Sequence, residues 1–330
     1  MPTLPWLVAD IGGTHVRFAL ILQADQAPVC HQTLDCQHYP SLDAALRRYL
    51  AERPDTVPKA GAFAIAAPVT GDWISMTNHA WQFSRAQLQQ QLGWEQLVVV
   101  NDFAALALAL PTLQCDQDYR PFIPGQAQTD APLALIGPGT GLGVAGLMPH
   151  QDGWLPIAGE GGHVTLAATN RDEAELLDRV RGWHPHVSAE RLLSGSGLPI
   201  LYRAVAEQQG QVAEPLSAQN IAQRGLDATC PVCHATLTHF CALLGSVAGN
   251  LVLTLGARGG LYIGGGILPK WGQFLEQSPF RERFIAKGRY TTYLETIPGY
   301  LITAAHPTLQ GAAQVLAAKT KAEYQIASIP

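Results

Sequence analysis

The sequence opens in the same way twice, and this repetition limits the folds that the chain can adopt. A buried strand at residues 6–9 leads through the turn IGGT into a second strand at 16–22. The pattern returns at residues 133–148, where the strand LALI, the turn GPGTGLG and the strand VAGLM come one after another. Two such openings predict a duplicated architecture with a sheet in each half, and not a short-period repeat.

Strands and helices alternate along the rest of the chain, as they do in α/β proteins. We predict further strands near 29–34, 61–67, 97–100 and GLYIGG, and helices over SLDAALRRYLAE (with Ser41 as N-cap), 85–92, 104–110, 170–182, 188–194, 196–209, 217–224, 234–255 and 309–319.

A length of 330 residues suits two domains, at roughly 150 residues each. We place the boundaries near 111–124 and 304–307, where the composition turns to loop residues. This gives a small α/β domain of residues 1–110 plus 304–330 and a large α/β domain of residues 111–303. A ligand is expected in the cleft between them.

Composition and charge exclude several classes of partner. The formal net charge is −5 and no Lys/Arg run is longer than Arg47-Arg48, so nucleic acid is not an expected partner. The segment MPTLPWLVADIGG lacks the basic start of a signal peptide. No window is expected to hold 18 apolar residues free of charge, so no membrane partner is expected. Six scattered cysteines then favour reduced thiols in the cytoplasm over disulfides.

One cysteine cluster, CPVCHATLTHF, allows either a metal site or a helix. It contains Cys230, Cys233, His234 and His239. A zinc finger separates its Cys pair from the first His by about twelve residues, whereas here they are adjacent. Cys233, His234 and Leu237 also share one turn of a helix that runs into an apolar segment, so we favour helix packing.

The first glycine turn, ADIGGTHVR, suits phosphate binding. Gly12 and Gly13 let the backbone approach a phosphate closely and offer N–H donors. Asp10, at the carboxyl end of the strand, is placed to hold a hydrated Mg²⁺ beside that phosphate. From this motif alone, a tight hairpin with Asp10 in the turn is an equally good interpretation.

Two more glycine runs support a nucleotide. GPGTGLG is a second turn with Thr140 at its centre, and GGLYIGGGILP would let a base or ribose lie against the backbone. GLGVAG also satisfies the dinucleotide pattern G-x-G-x-x-G, but the residues after it predict a strand and not the required helix. No G-x-x-x-x-G-K-[ST] occurs, which excludes a P-loop. Together the runs favour a nucleotide clamped between two domains.

The dipeptide Asn101-Asp102 interrupts the apolar stretch LVVVNDFAALALALP between a strand and a helix. A carboxylate is costly to bury there without a partner. The carboxyl ends of strands in open α/β sheets face the ligand crevice, which places this pair for a ligand. An N-cap for the following helix is the alternative, and for Asp102 alone it is the better one.

Seven motifs occur in an order that resembles the bacterial glucokinase family, within the sugar kinase, actin and chaperone ATPase superfamily. They are DIGGT, AAPVTGDWISMTNHAWQFS, NDFAALA, GTGLGVA, GEGGHV, HVSAERLLSGSGL and GGLYIGGGI. This resemblance implies a two-domain, actin-like ATPase fold (duplicated, ribonuclease H-like) with ATP and sugar in the interdomain cleft. It also implies ATP-dependent phosphorylation of D-glucose to glucose 6-phosphate, which enters glycolysis, by a cytoplasmic homodimer that uses Mg²⁺.

The resemblance also implies roles for individual residues. Asp102 becomes the catalytic base for the sugar hydroxyl. The sugar ligands are Asn101, Asp102, Glu160, His163 and Glu190. The nucleotide-binding residues are Ala9, Asp10, Ile11, Gly12, Gly13, Thr14, Thr140 and Gly265, and Asp10 is the metal ligand. On the residues alone, Glu160 and His163 suit vicinal hydroxyls because they pair an acceptor with a donor, while Glu190 also fits the first turn of a helix.

The chain departs from the family at His15, where Asn usually comes after DxGGT. This changes one side chain beside the phosphate turn and leaves the expected fold intact. The CxCGxxGC zinc motif of the related repressor/kinase group does not occur, so the chain resembles the zinc-free glucokinases. Trp73 and Trp81 suit either the cleft or the core.

Three alternatives to a glucose kinase stay open at this point. The first is a kinase for another hexose, such as fructose or mannose. The second is a sugar-sensing regulator, which usually carries an N-terminal helix-turn-helix, whereas the first strand here begins by Trp6. The third is a dehydrogenase, which rests only on GLGVAG and lacks the strand-then-helix context.

Overall fold

The computed structural model of the protein describes residues 1–24, 26–76, 79–151 and 153–317. The elements of the first half are β1 Trp6–Ile11, β2 His15–Ile21, β3 Val29–Asp35, α1 Leu42–Ala51, β4 Ala60–Ile65, β5 Trp73–Ser75, β6 Gln82–Ser84, α2 Arg85–Leu92, β7 Gln96–Asn101 and α3 Asp102–Ala109. The remaining elements are β8 Tyr119–Ile123, β9 Leu133–Pro138, β10 Leu142–His150, β11 Gly153–Gly159, α4 Arg171–Arg181, α5 Ala189–Leu192, α6 Leu198–Gln208, α7 Ala218–Leu226, α8 Pro231–Leu255, β12 Gly260–Ile263, α9 Gln273–Gln277, α10 Phe280–Ile285, α11 Thr291–Glu295, β13 Gly299–Ile302 and α12 Pro307–Ala317.

The first sheet has five strands in the order β3-β2-β1-β4-β7. β1, β4 and β7 are parallel, and β2 and β3 continue the sheet antiparallel. Every residue of β4 is buried, which explains its unbroken apolar sequence, because parallel strands are covered on both faces. One of the cores formed on this sheet joins Leu7, Ala9 and Ile11 of β1 to Leu46 and Tyr49 of α1.

Helices α3 and α12 pack against each other, and α12 also packs on β1 and β4. A side chain at Gly311 of α12 would overlap the carbonyl of Ala105 in α3, so glycine lets the two helices come close. The predicted terminal helix at 309–319 is therefore present and joins the first half of the chain, although residues 318 and 319 lie outside the described residues.

The second sheet has the order β11-β10-β9-β12-β13-β8. β12 is parallel to β9 and to β13, and β8 is antiparallel to β13. Without the edge strand β8, this order repeats that of the first sheet strand for strand. β1 and β9 both have six residues, and each leads into a three-residue turn. The duplication predicted from the two openings is therefore present in the structure.

Helix α8 runs through the largest core, which contains Leu237, Phe240 and Leu244. It is long and apolar enough to cross a membrane, with a mean hydropathy of 1.5 over 18 residues, so the expectation that no such window exists is wrong. Within the structure 67% of that window is buried by protein, as is usual for the central helix of a soluble domain.

Several short elements escaped prediction. The β5–β6 hairpin, β8, β11, β13 and α9–α11 were not predicted. Most of these elements have three to six residues, which is too few for hydrophobic periodicity to identify. Residues 142–146 of GLGVAG lie within β10, which confirms the prediction of a strand, and not a dinucleotide-type helix, after the first glycine.

The chain divides into two compact units. Among the described residues, unit 1 contains Met1–Gln114, Leu147–Ala158 and residues 304–317, and unit 2 contains Cys115–Gly146 and Gly159–Thr303. Relative to the sequence-based boundaries, the segment 147–158 goes with unit 1. This segment contains the end of β10 and most of β11.

Candidate active site

In unit 1, strand register brings two sequence motifs to one edge of the sheet. Ile11 pairs with Ile65 of β4, and Ile65 pairs with Asn101 of β7. These pairs form a row across the carboxyl ends of three parallel strands. The glycine turn that begins at Gly12 and the pair Asn101-Asp102 therefore leave the sheet at the same edge, where α/β proteins bind ligands.

Asn101 is the N-cap of α3, and Asp102 is its first residue. Asn101 Oδ1 accepts hydrogen bonds from the N–H groups of Phe103 and Ala104, at 3.0 and 3.1 Å. Asp102 Oδ1 accepts from the Phe103 N–H at 2.9 Å and from Asn101 Nδ2 at 3.1 Å. The expectation that Asp102 is the N-cap is thus wrong, because Asn101 has the extended backbone and the bonds of a cap.

Asp10 lies opposite Arg17 in the β1–β2 ladder, and the two side chains form an ion pair with 3.0 Å between Arg17 Nη1 and Asp10 Oδ2. Burial raises the pKa of the Asp10 carboxyl above its ordinary value, and the nearby Arg17 charge opposes this shift. Ala9 and Ile11 on either side are fully buried, so their side chains cannot contact a nucleotide, and the Ile11 carbonyl already accepts from the Ala66 N–H at 3.0 Å.

The turn after β1 is a tight hairpin, in which the Gly12 N–H donates to the His15 carbonyl at 3.0 Å. Thr14 and His15 are exposed at its tip, and Gly12 and Gly13 are half-buried. A short 3-10 turn at Cys36–His38 lies behind it, with the Cys36 N–H donating to the Thr14 carbonyl at 2.8 Å. The hairpin alternative is therefore confirmed, although Asp10 lies in β1 and not in the turn, and phosphate binding by this turn stays a prediction.

In unit 2, the corresponding turn is held by a second loop. The Gly139 N–H donates to the Gly141 carbonyl, and the Gly195 N–H donates to the Gly139 carbonyl, both at 2.8 Å. Thr140 at the centre is exposed, and its carbonyl accepts from Ser196 Oγ at 3.4 Å. The loop SGSG after α5 thus supports the turn that contains Thr140.

Gly265 lies beside the same turn and needs to be glycine. Its φ is +80°, and a side chain there would overlap the carbonyl of Pro138, the last residue of β9. The preceding Gly264 N–H donates to the Ile136 carbonyl at 2.9 Å. Thr140 and Gly265, which the sequence assigned to one nucleotide site, are therefore neighbours at the carboxyl end of β9 and β12.

Glu190 is the central residue of the second group in unit 2. Its Oε2 accepts a hydrogen bond from the Leu142 N–H at 2.8 Å, and its Oε1 lies 3.7 Å from His163 Nε2. Glu190 lies in the first turn of α5, which Ser188 caps, so it also has the helix-start position expected as the alternative. It is half-buried, while Glu160 and His163 are exposed.

Backbone bonds hold the Glu160 loop against α5. Thr165 and Ser188 form an antiparallel bridge, and the Ala189 N–H donates to the Val164 carbonyl at 2.9 Å. A side chain at Gly162 would overlap the Leu142 carbonyl, which explains the glycine at this position of GEGGH. This arrangement brings Glu160, His163 and Glu190 together beside the start of β10.

The predicted site residues thus form one group in each unit. Unit 1 brings together Ala9–Thr14, Asn101 and Asp102, and unit 2 brings together Thr140, Glu160, His163, Glu190 and Gly265. Sequence reasoning missed Arg17, the Leu142 N–H and the Gly195–Ser196 support. The glycines of SGSG were the only local signal for the last of these.

Trp81 is buried and donates to the Tyr39 carbonyl at 3.0 Å, whereas Trp73 is 58% exposed.

The CPVCHATLTHF cluster is the start of α8. Cys230 is the N-cap, with its sulfur accepting from the Cys233 N–H at 3.4 Å, and His234 Nδ1 lies 3.1 Å from the Gly225 carbonyl. The six cysteines are free thiols. Within the described ranges, no group of three or more His, Cys, Asp or Glu side chains is arranged to hold a metal ion.

Comparisons with known proteins show which family this chain resembles over most of its length. A family model described as glucokinase matches residues 7–319. The glucokinase of Aromatoleum aromaticum is 50% identical over 315 residues, which cover 95% of this chain and 95% of that protein.

Solved structures share the fold. A glucokinase from an Antarctic psychrotroph is 41% identical and has a TM-score of 0.87, over 95% of this chain and 98% of that chain. A ROK family glucokinase from Streptomyces griseus, solved with glucose and AMPPNP, is 18% identical with a TM-score of 0.64, over 94% and 99% of the two chains. The mixed α/β fold of this chain is therefore that of solved sugar kinases.

Proposed function

This chain belongs to the glucokinase family and phosphorylates D-glucose with ATP to give glucose 6-phosphate, and we propose that Asp102 is the base of the reaction. The observation that carries the proposal is the register of β1, β4 and β7, whose carboxyl ends bring Asp102, Asp10 and the Gly12 turn to one edge of one sheet.

The reaction requires no covalent bond between the substrates and the protein. The phosphoryl transition state is loose, so positioning and charge neutralisation contribute more than a strong base. Asp102 accepts the proton of the glucose 6-hydroxyl as the new P–O bond forms. The Phe103 N–H and Asn101 Nδ2 both bond Asp102 Oδ1, which fixes the orientation of the carboxylate.

Residues of both groups would bind glucose. Asn101 and Asp102 bind hydroxyls near the reacting end, and Glu160, His163 and Glu190 bind others through their clustered acceptors and donors. The half-buried position of Glu190 and its bond to the Leu142 N–H support a fixed carboxylate, which suits a role in discriminating hydroxyl stereochemistry.

ATP would lie against the glycine turns. Gly12, Gly13 and Thr14 approach the phosphates in unit 1, with backbone groups of Ala9 and Ile11 beside them, and Thr140 and Gly265 do so in unit 2. The exposure of Thr14, Thr140 and Gly265 supports this assignment.

Asp10 fits a Mg²⁺ that is held jointly with the nucleotide. Such ions take one or two carboxylates together with phosphate oxygens, and Asp10 is a single carboxylate at the phosphate edge of the sheet. Bound there, Mg²⁺ would supply positive charge against the phosphates. Arg17 already partners the same carboxylate, so it adds positive charge on this side of the turn.

We extend the proposal to the architecture of the whole enzyme. The repeated strand order supports an actin-like, duplicated fold, with a small domain of residues 1–110 plus 304–330, a large domain of 111–303, and ATP and glucose in the cleft between them. A cytoplasmic location and a homodimer rest on the family resemblance, and light scattering of the purified protein tests the dimer.

A coupled assay of the purified protein with MgATP and a panel of hexoses tests the function. Glucose should exceed fructose and mannose in kcat/KM by roughly ten- to a hundredfold, because a wrong hexose leaves a buried polar group unpaired. Fructose turned over as efficiently as glucose would overturn the hexose assignment.

A further inference from the structure

Cys36 lies directly behind the glycine turn of unit 1. Its side chain is fully buried in the core that contains Ala9 and Ile11. Its Sγ–H donates to the Gly12 carbonyl at 3.6 Å, and its backbone N–H donates to the Thr14 carbonyl at 2.8 Å. One residue of the 3-10 turn after β3 therefore bonds two carbonyls of the predicted phosphate turn.

The bond to Gly12 determines where the next N–H points. In a planar trans peptide the C=O and N–H groups point in opposite directions. Since the Gly12 carbonyl points toward Cys36 and the core, the N–H of Gly13 points away from that core. Anything that lets the Gly12–Gly13 peptide rotate would turn this donor out of position.

The Gly13 N–H then faces the same side as Asp10. Side chains alternate along a strand, and Ile11 and Ala9 of β1 enter the core that contains Cys36. Asp10 between them therefore projects to the opposite face. The Gly13 N–H, as the proposed phosphate donor, and the Asp10 carboxylate, as the proposed metal ligand, therefore point to the same side of the first sheet.

From this geometry we propose that Cys36 is a positioning residue for the nucleotide turn, which acts through the Gly12–Gly13 peptide on the binding of MgATP. The inference rests on the proposed role of this turn in ATP binding. Cys36 touches no substrate, so its replacement should change the KM for MgATP and leave the glucose site alone.

The thiol has the state that this role requires. Burial, together with the nearby Asp35 charge, raises the pKa of the Cys36 thiol to about 11. It therefore remains an S–H donor to the Gly12 carbonyl throughout the neutral range, where a thiolate would repel that carbonyl.

Three variants test the proposal. Cys36→Ala and Cys36→Val remove the donor, and Val fills the space that Ala leaves empty. Cys36→Ser restores an O–H donor. Cys241→Ala is the matched control, because Cys241 is also a fully buried free thiol, but in unit 2. KM for MgATP, KM for glucose, kcat and Tm are measured for each, and MgADP binding is measured by calorimetry.

Loss of one hydrogen bond predicts a KM for MgATP about three- to tenfold higher in Cys36→Ala and Cys36→Val, with glucose KM within about twofold of wild type. Cys36→Ser should recover most of the MgADP affinity. A merely structural role predicts lower Tm in the Ala variants of Cys36 and Cys241 alike, with unchanged nucleotide affinity, and that result would overturn the proposal. A wild-type protein that does not use MgATP would instead refute the proposed function.

Discussion

The two sheets share a strand order but differ in the residues at the ends of corresponding strands. β1 carries Asp10 one residue before its end, whereas the corresponding residue of β9 is Gly137. β7 ends in Asn101 and leads straight into Asp102, whereas β13 ends in Ile302 and leads into Thr303. At these corresponding positions, unit 1 alone has the carboxylates that the proposed metal ion and the proposed proton transfer would require.

The connections after the third strand of each half differ as well. A 3-10 turn comes after both β3 and β11, and each lies against the hairpin of its own half. In unit 1 the turn places the buried thiol of Cys36 under the glycines. In unit 2 it exposes Glu160 and His163 beside Glu190. The same scaffold thus supports a glycine turn in one copy and presents polar side chains in the other, because function depends on loop residues more than on the fold.

The largest expected effect comes from replacing Asp102, the carboxylate directly after β7, which has no counterpart after β13. Asp102→Asn keeps the size of the side chain but cannot accept a proton, so kcat should fall by about 10²–10⁴-fold. Because Asn101 provides the cap of α3, the Tm should change little. Turnover and Tm of the purified variant check both parts.

The control for this variant is Asp172→Asn, at an exposed first-turn position of α4 in unit 2. It makes the same chemical change at a helix start and should leave kcat unchanged. Turnover of Asp102→Asn within tenfold of wild type would mean that another group is the base.

A smaller effect is expected from the turn of unit 2. A methyl group at Gly141 would overlap the Glu190 carboxylate, whereas a methyl group at Gly139 meets nothing within 4 Å. Gly141→Ala should therefore displace Glu190 and raise KM for glucose by roughly ten- to a hundredfold, as expected for one misplaced polar ligand. Gly139→Ala is the matched control and should stay near wild type. Equal glucose KM values in the two variants would exclude Glu190 as a sugar ligand.

The smallest expected effect is on stability, when the N-cap side chains of two helices are removed. Asn101 caps α3 in unit 1 and Asn170 caps α4 in unit 2, where its Oδ1 accepts from the Glu173 N–H at 2.8 Å. Either change to Ala should cost about 1 kcal/mol of stability. Only Asn101→Ala should also weaken glucose binding. Thermal melts and glucose titrations of both variants check this. Identical glucose affinities would mean that Asn101 caps α3 but does not bind glucose.

Local sequence was sufficient to predict the α/β class, the duplication and the longer helices, because these depend on periodicity and on turn residues. Ser41 caps α1 and α2 spans residues 85–92, as the local signals predict. The residues of the candidate site were named through motifs, which identify chemistry without showing what each side chain touches. Short strands such as β8 and β13 were missed because their stability comes from the neighbouring strands of the sheet, which local sequence does not encode.

The contacts between distant groups, in contrast, come from the folded arrangement alone. Glu190 reaches the Leu142 N–H across 48 residues of chain, and Cys36 reaches Gly12 across 24. The backbone of the folded chain likewise makes Asn101, and not Asp102, the cap of α3. These contacts depend on strand register and on the close approach of backbones at glycines. Both are set by the packing of distant segments, so a single stretch of sequence does not show which residues they bring together.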